Sequence, residues 1–128
     1  MDKQRPHLII AALFALFTLA ACGGFEERER VVTLVAKDVM PFNVGGMAVG
    51  PYEVWLAREH KRNVTLVAHE LCHALQWQRH GADFLIMYKL QVAAYGYWNA
   101  PLEVECLEMQ YDVAHRRWAR GLIEYHFR

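Results

Sequence analysis

The sequence predicts an α+β fold: a small N-terminal antiparallel or mixed sheet with an edge strand, packed on about three helices. Three observations predict it. Val31 to Ala36 is β-branched, and Met47 to Leu56 carries Val49, Tyr52, Val54 and Trp55 around a Gly50-Pro51 break; such runs favour strands. From Asn63 onward, apolar residues recur at helical spacing. Gly81, Gly96 and Gly121 punctuate that half of the chain at intervals suited to helix ends.

Each element has a local reason. Val31–Ala36 reads as a strand. Pro41, Asn43 and Gly45-Gly46 interrupt the chain before residues 47–56, which read as one strand with a break or as two short strands. Pro51 favours a sheet edge, because it cannot donate to a ladder. Residues 57–63 form a polar loop. Asn63 or Thr65 caps a helix that runs to His80 and stops at Gly81. Asp83 caps a second, ending near Tyr95 before Gly96. Asn99 caps a third, with Pro101 tolerated in its first turn, running to about Arg120 and ending at Gly121.

The chain has 128 residues and a formal net charge of zero. That length suits one folded domain with one modest core. Zero net charge gives no electrostatic case for nucleic acid. Nothing in the sequence specifies an oligomeric state.

The first residues are organised differently. Lys3 and Arg5 precede an apolar run from Leu8 to Ala21 that only Thr18 interrupts. It is shorter than a membrane-spanning helix requires and suits a signal-peptide core. The run ends in Leu19-Ala20-Ala21-Cys22-Gly23-Gly24, which resembles the bacterial lipobox. The resemblance implies a lipoprotein signal peptide over 1–21, a lipid on Cys22, and a mature chain held on a membrane, facing the periplasm or cell surface. An uncleaved membrane anchor is the other reading, and it also leaves the rest of the chain outside the cytoplasm. Residues 22–30, largely charged, read as a tether. Residues 31–128 form the domain.

The chemistry concentrates in His69-Glu70-Leu71-Cys72-His73. Histidines four apart on a helix share one face and can reach one ion. Glu70 lies about 100° round from His69, where a carboxylate can take a proton from water activated by the metal. On a helical wheel Val67, Ala68, Leu71, Ala74 and Leu75 form the core side. His69, His73, Trp77 and His80 lie on a different stripe. Incidental histidines on a solvated face are the alternative.

A catalytic zinc takes three protein ligands. Glu103 and Glu105 are the candidates for the third. Leu102, Cys106, Leu107, Met109, Gln110, Val113 and Ala114 form a broad apolar arc if one helix holds them all. Glu103 falls inside it and Glu105 outside. A buried carboxylate needs a partner, which a metal supplies, so Glu103 is chosen. A carboxylate favoured merely by the helix dipole is the alternative reading.

The motif, the Gln-rich helix end with Gln76 and Gln78, and the segment Pro101-Leu102-Glu103-Val104-Glu105 together resemble the gluzincin metallopeptidases, the very small minigluzincins above all. The resemblance spans residues of about 45–115. Cys106 stands where the family's Glu-x-x-Ala pattern has alanine, and Ala100 separates Asn99 from Pro101. The resemblance implies a zincin-like fold, Zn2+ on His69, His73 and Glu103, hydrolysis of a peptide or protein substrate with Glu70 as general base, and residues 47–56 as an edge strand that holds substrate extended. Tyr95 and Tyr97 are the preferred oxyanion stabilisers; His80 and His115 are further candidates. A non-catalytic zinc-binding envelope lipoprotein and a metal-free interaction domain are the competing functions.

Cys72 and Cys106 form no CxxC pair. If the two helices pack across the metal, these thiols come together. A disulfide and two small buried apolar side chains are the two readings.

Overall fold

A computed structural model describes residues 31–128, a compact unit from Val31 to Arg128. The signal peptide over 1–21, the lipidation of Cys22 and the tether lie outside the described residues.

The architecture is α+β. Strands β1 (Thr33–Lys37), β2 (Gly46–Ala48) and β3 (Glu53–Ala57) precede helices α1 (Val64–His80), α2 (Phe84–Tyr95), α3 (Pro101–Met109) and α4 (Val113–His126). The sheet is mixed, in the order β1-β3-β2: β1 runs parallel to β3 and β2 antiparallel to it. Residues 47–56 are therefore not one edge strand. They form a hairpin whose first arm is the edge and whose second is the sheet centre. Pro51 sits in the connecting turn, where no ladder hydrogen bond is lost.

Alternation along the strands turns Val32, Leu34, Val54 and Leu56 to one side, where they meet Val67, Ala68, Leu71 and Ala74 of α1 and Ala119 and Ile123 of α4. On the other face, Lys37 Nζ lies 4.1 Å from the centre of the Trp55 ring. The expected core face of α1 is thus in place, except that Leu75 is only half-buried. Asn63 caps α1, its Oδ1 accepting from Leu66 N at 3.2 Å. Gly81 ends the helix at φ 61, a conformation glycine adopts without a steric cost.

Three expected features of the helices are corrected. Asp83 makes no side-chain cap. Asn99 does not cap α3: it lies in a 3-10 turn, and Ala100 precedes the helix. The Leu102 N–H instead donates to Gln91 Oε1 of α2 at 2.8 Å, so a neighbouring helix satisfies the orphan donor. The expected third helix is two. It breaks at Gln110–Asp112, where Asp112 caps α4 by accepting from His115 N at 2.9 Å, and Gly121 lies inside α4. The break changes the helical phase, so Val113 and Ala114 are exposed and do not continue the arc of Leu102 and Cys106. Among the described residues no helix is long and apolar enough to cross a membrane.

Candidate metal centre

The site is built where α1 crosses α3. His69 and His73, one turn apart on α1, are both buried, and Glu103 in the first turn of α3 is fully buried against them. Glu103 Oε1 lies 2.6 Å from His69 Nε2, and Oε2 lies 3.1 Å from His73 Nε2. One donor atom from each residue falls within 4.8 Å of the other two. Glu105 turns outward and pairs with Arg79 at 3.3–3.4 Å.

The surrounding hydrogen bonds decide what these donors can do. Gln76 is completely buried, and its Nε2 donates to the Leu102 carbonyl at 2.8 Å. That fixes the amide orientation and directs Oε1 at His73 Nδ1, 2.9 Å away. An amide oxygen only accepts, so Nδ1 carries the proton and Nε2 presents a bare lone pair. His69 Nδ1 lies 2.8 Å from Gln110 Oε1. Buried Glu103 Oε1 has no hydrogen-bond partner despite its proximity to His69. With both rings neutral, two lone pairs and a carboxylate converge on one buried point, an arrangement that a cation satisfies. Ligand atoms on a four-coordinate ion with bonds of about 2.0–2.2 Å lie about 3.4 Å apart, compatible with this cluster. His69, His73 and Glu103 therefore have the donor set and spacing to hold a metal ion.

Two features lock the crossing. Cys72 and Cys106 form a disulfide between α1 and α3, with Cα atoms 5.4 Å apart. Tyr88 of α2 donates its hydroxyl to Glu103 Oε2 at 2.9 Å.

Glu70 stands beside the cluster. It is buried, and its Oε2 accepts from the Ala48 backbone N–H at 3.2 Å. Burial is the main reason its carboxyl is pushed above the usual range, against the pull of His73 and His69. On either side of β2, Val49 N–H bonds to the Glu53 carbonyl and Gly45 C=O accepts from Ala57 N–H. By alternation, the backbone groups of Gly46 and Ala48 face off the sheet. The backbone approaches closely at Gly46: a Cβ there would lie 3.1 Å from Glu70 Cγ and 3.2 Å from Leu56 Cδ2.

A cleft of about 230 Å³ opens over the cluster, walled by Ala48, Glu70, His73, Trp77, Tyr88 and Tyr97 among others. Tyr97 is in this wall; Tyr95 is not, and is exposed at the end of α2. Burial, then the Glu103 and Glu70 carboxylates, push the Tyr97 phenol above its usual range. His115 is a core residue, its Nε2 donating to the Ala68 carbonyl at 2.7 Å. His80 ends α1, about two turns beyond His73, and takes no part in the wall.

No family model, curated protein or solved structure matches this chain.

Sequence reasoning left Gln76, Tyr88, Gln110 and the Ala48 amide without roles. Gln76 had a signal: it falls between His69 and Cys72 on the wheel, a polar residue on a face that turns inward. The other three depend on how α2, the Gln110–Asp112 break and β2 approach α1, which no local pattern encodes.

Proposed function

We propose that this chain is a zinc-dependent peptide hydrolase of gluzincin type with a zincin-like fold, carried on a bacterial membrane by a lipid on Cys22 and facing out of the cytoplasm. The observation that carries the reading is the placement of Glu70. A purely structural metal site has no use for a second, buried carboxylate, raised in pKa and aimed beside the ligands into an open cleft.

His69, His73 and Glu103 would hold the ion, as nitrogen and carboxylate donors suited to zinc. Bound there, zinc supplies positive charge that lowers the pKa of water and polarises a carbonyl. Glu70 acts as general base. The Ala48 N–H fixes one oxygen so that the other is free to take a proton and return it to the leaving amine. The outward edge of β2 offers the Gly46 backbone and the Ala48 carbonyl to an extended peptide, the Ala48 N–H being held by Glu70. Tyr97, its phenol held protonated, is placed to donate to the developing oxyanion. Tyr88 is a positioning residue, because its hydroxyl is committed to Glu103.

The test uses purified full-length protein loaded with zinc and a fluorogenic peptide library. Wild type should cleave, and Glu70→Gln should keep its zinc and lose turnover. Stoichiometric zinc with no cleavage by wild type would leave a zinc-binding protein without this chemistry and overturn the proposal. Absence of zinc binding would overturn the metal site as well.

A further inference from the structure

Residues 84–99 contain one charged side chain, Lys89. Phe84 and Tyr88 turn α2 onto the site, yet the outer side of the helix is apolar too. Leu85, Ile86 and Leu90 are exposed there; Tyr95, in the last turn on the Phe84 side, and Trp98, which follows in the next turn and is 69% exposed, are apolar and uncovered as well. A surface helix in water ordinarily presents polar residues outward. A contiguous exposed apolar patch marks a surface that something covers.

We propose that this face of α2, together with the exposed Trp98 of the following turn, docks on the surface of the lipid bilayer to which the N-terminal segment ties the chain. The inference goes beyond peptide hydrolysis and rests on the membrane-anchor reading of residues 1–22. The chemistry of the face is interfacial. Tryptophan and tyrosine favour the headgroup boundary, and the long stem of Lys89 lets its ammonium reach lipid phosphates.

Chain length supports the same occupant. Ten residues, 23–32, separate Cys22 from β1. Fully extended they span at most about 33–36 Å, close to the diameter of a fold this size with a radius of gyration of about 13 Å. A short tether of this kind gives an effective concentration in the millimolar range, at which a modest apolar face stays docked. Leu85 also belongs to the cleft wall. Docking therefore sets the cleft mouth at the membrane surface, within reach of polypeptide segments that emerge from or lie along the bilayer.

All four tryptophans of the chain, Trp55, Trp77, Trp98 and Trp118, lie beyond the anchor and tether, so tryptophan emission reports on the folded unit alone. The full chain is reconstituted in phosphatidylcholine–phosphatidylglycerol vesicles with and without bromine on the acyl chains. Co-flotation reads the anchor, and quenching by bromine reads the docking. Wild type should float and be quenched. Trp98→Phe should lose most of the quenching, and Leu85→Asp combined with Leu90→Asp should lose it while still floating. Both carry exposed substitutions, and circular dichroism confirms that they fold. Tyr125→Asp, exposed on α4, should leave quenching unchanged. Flotation without Trp98-dependent quenching would overturn the docking but not the anchor, as would cross-linking of vesicle-bound chains into dimers through this face. Failure to float would overturn the anchor and the docking with it.

Discussion

Gln76 Oε1 lies 2.9 Å from His73 Nδ1, and this buried contact determines which imidazole nitrogen faces Glu103. The other end of the amide is tied to the Leu102 carbonyl, so the same side chain positions a ligand on α1 and the start of the helix that carries the third ligand. Gln76→Leu keeps the approximate volume and removes both bonds. Metal affinity should fall about 10–100-fold, the usual effect of losing an outer-shell partner. The buried His73 Nδ1–H, left without its oxygen acceptor, should cost about 1–3 kcal/mol of stability. Competition with a chromophoric chelator measures the first and urea unfolding the second. Unchanged affinity would show that the tautomer is set elsewhere.

Glu103 and Glu105 differ by two residues and should differ completely in effect. Glu103→Gln should abolish stoichiometric metal, because a neutral amide replaces the charge that the two imidazoles face. Glu105→Gln removes only the partly exposed pair with Arg79, and such pairs contribute about 0–1 kcal/mol. Elemental analysis of both variants checks this. Equal metal loss in both would contradict the assignment.

The disulfide should be structural. It closes a loop of sequence separation 34, for which the chain-entropy argument gives about 3–4 kcal/mol. Cys72→Ala with Cys106→Ala should therefore lower stability by that order and make it insensitive to reductant, whereas wild type should lose stability when reduced. Denaturant melts with and without a phosphine reductant give the answer.

Stability should depend on pH in opposite ways with and without metal. In the metal-free chain, burial works against the His69 cation, but the Glu103 carboxylate and then Glu70 outweigh it and hold the pKa above its usual value. That stabilisation is fully present below about pH 6.5 and is lost as pH rises through the raised folded value. Glu70, raised chiefly by burial, acts in the same direction: its contribution is present below the ordinary carboxylate range and lost as pH rises through its raised value. Burial opposes the Glu103 charge, but His69 and His73 hold its pKa below the carboxylate range, so its contribution survives until the pH falls through that low value. The chelated protein should melt at lower temperature at about pH 8 than at about pH 6. Metal must displace the His69 proton, so the stabilisation by added zinc should grow over the same interval. Thermal melts in the two buffers, with chelator or with zinc, test both slopes. A chelated protein that gains stability towards pH 8 would refute the first.

Gly46→Ala should separate the base from the metal. A Cβ there would lie 3.1 Å from Glu70 Cγ, so that side chain must give by a few tenths of an ångström, and the nearest neighbours include no ligand. Metal content should hold while any peptide turnover falls by about tenfold or more, the sensitivity expected of a displaced catalytic group.

The sequence by itself determined the α+β class, the extent of α1 from a cap at Asn63 or Thr65 to Gly81, and the sharing of one helix face by His69 and His73. These follow from interactions within a few residues: capping, a left-handed glycine and a 3.6-residue period. It also separated Glu103 from Glu105, because burial of one carboxylate is a matter of helical phase close to Pro101. The same phase argument failed ten residues later at Val113. The Asp112 cap breaks the helix there, and α4 begins with its own face towards the sheet. Only the tertiary structure decided that residues 47–56 fold back into an edge and a centre, that Gln91 replaces the expected Asn99 cap, and that Cys72 meets Cys106. It alone brought Tyr88, Gln110 and the Ala48 amide to the site and left Tyr95 outside. Each of these depends on the relative placement of separate elements, which buried volume and the pairing of buried polar groups set across the whole core. The histidine pair was legible because one helix carries it. The site was not, because four elements and a helix break must meet to make it.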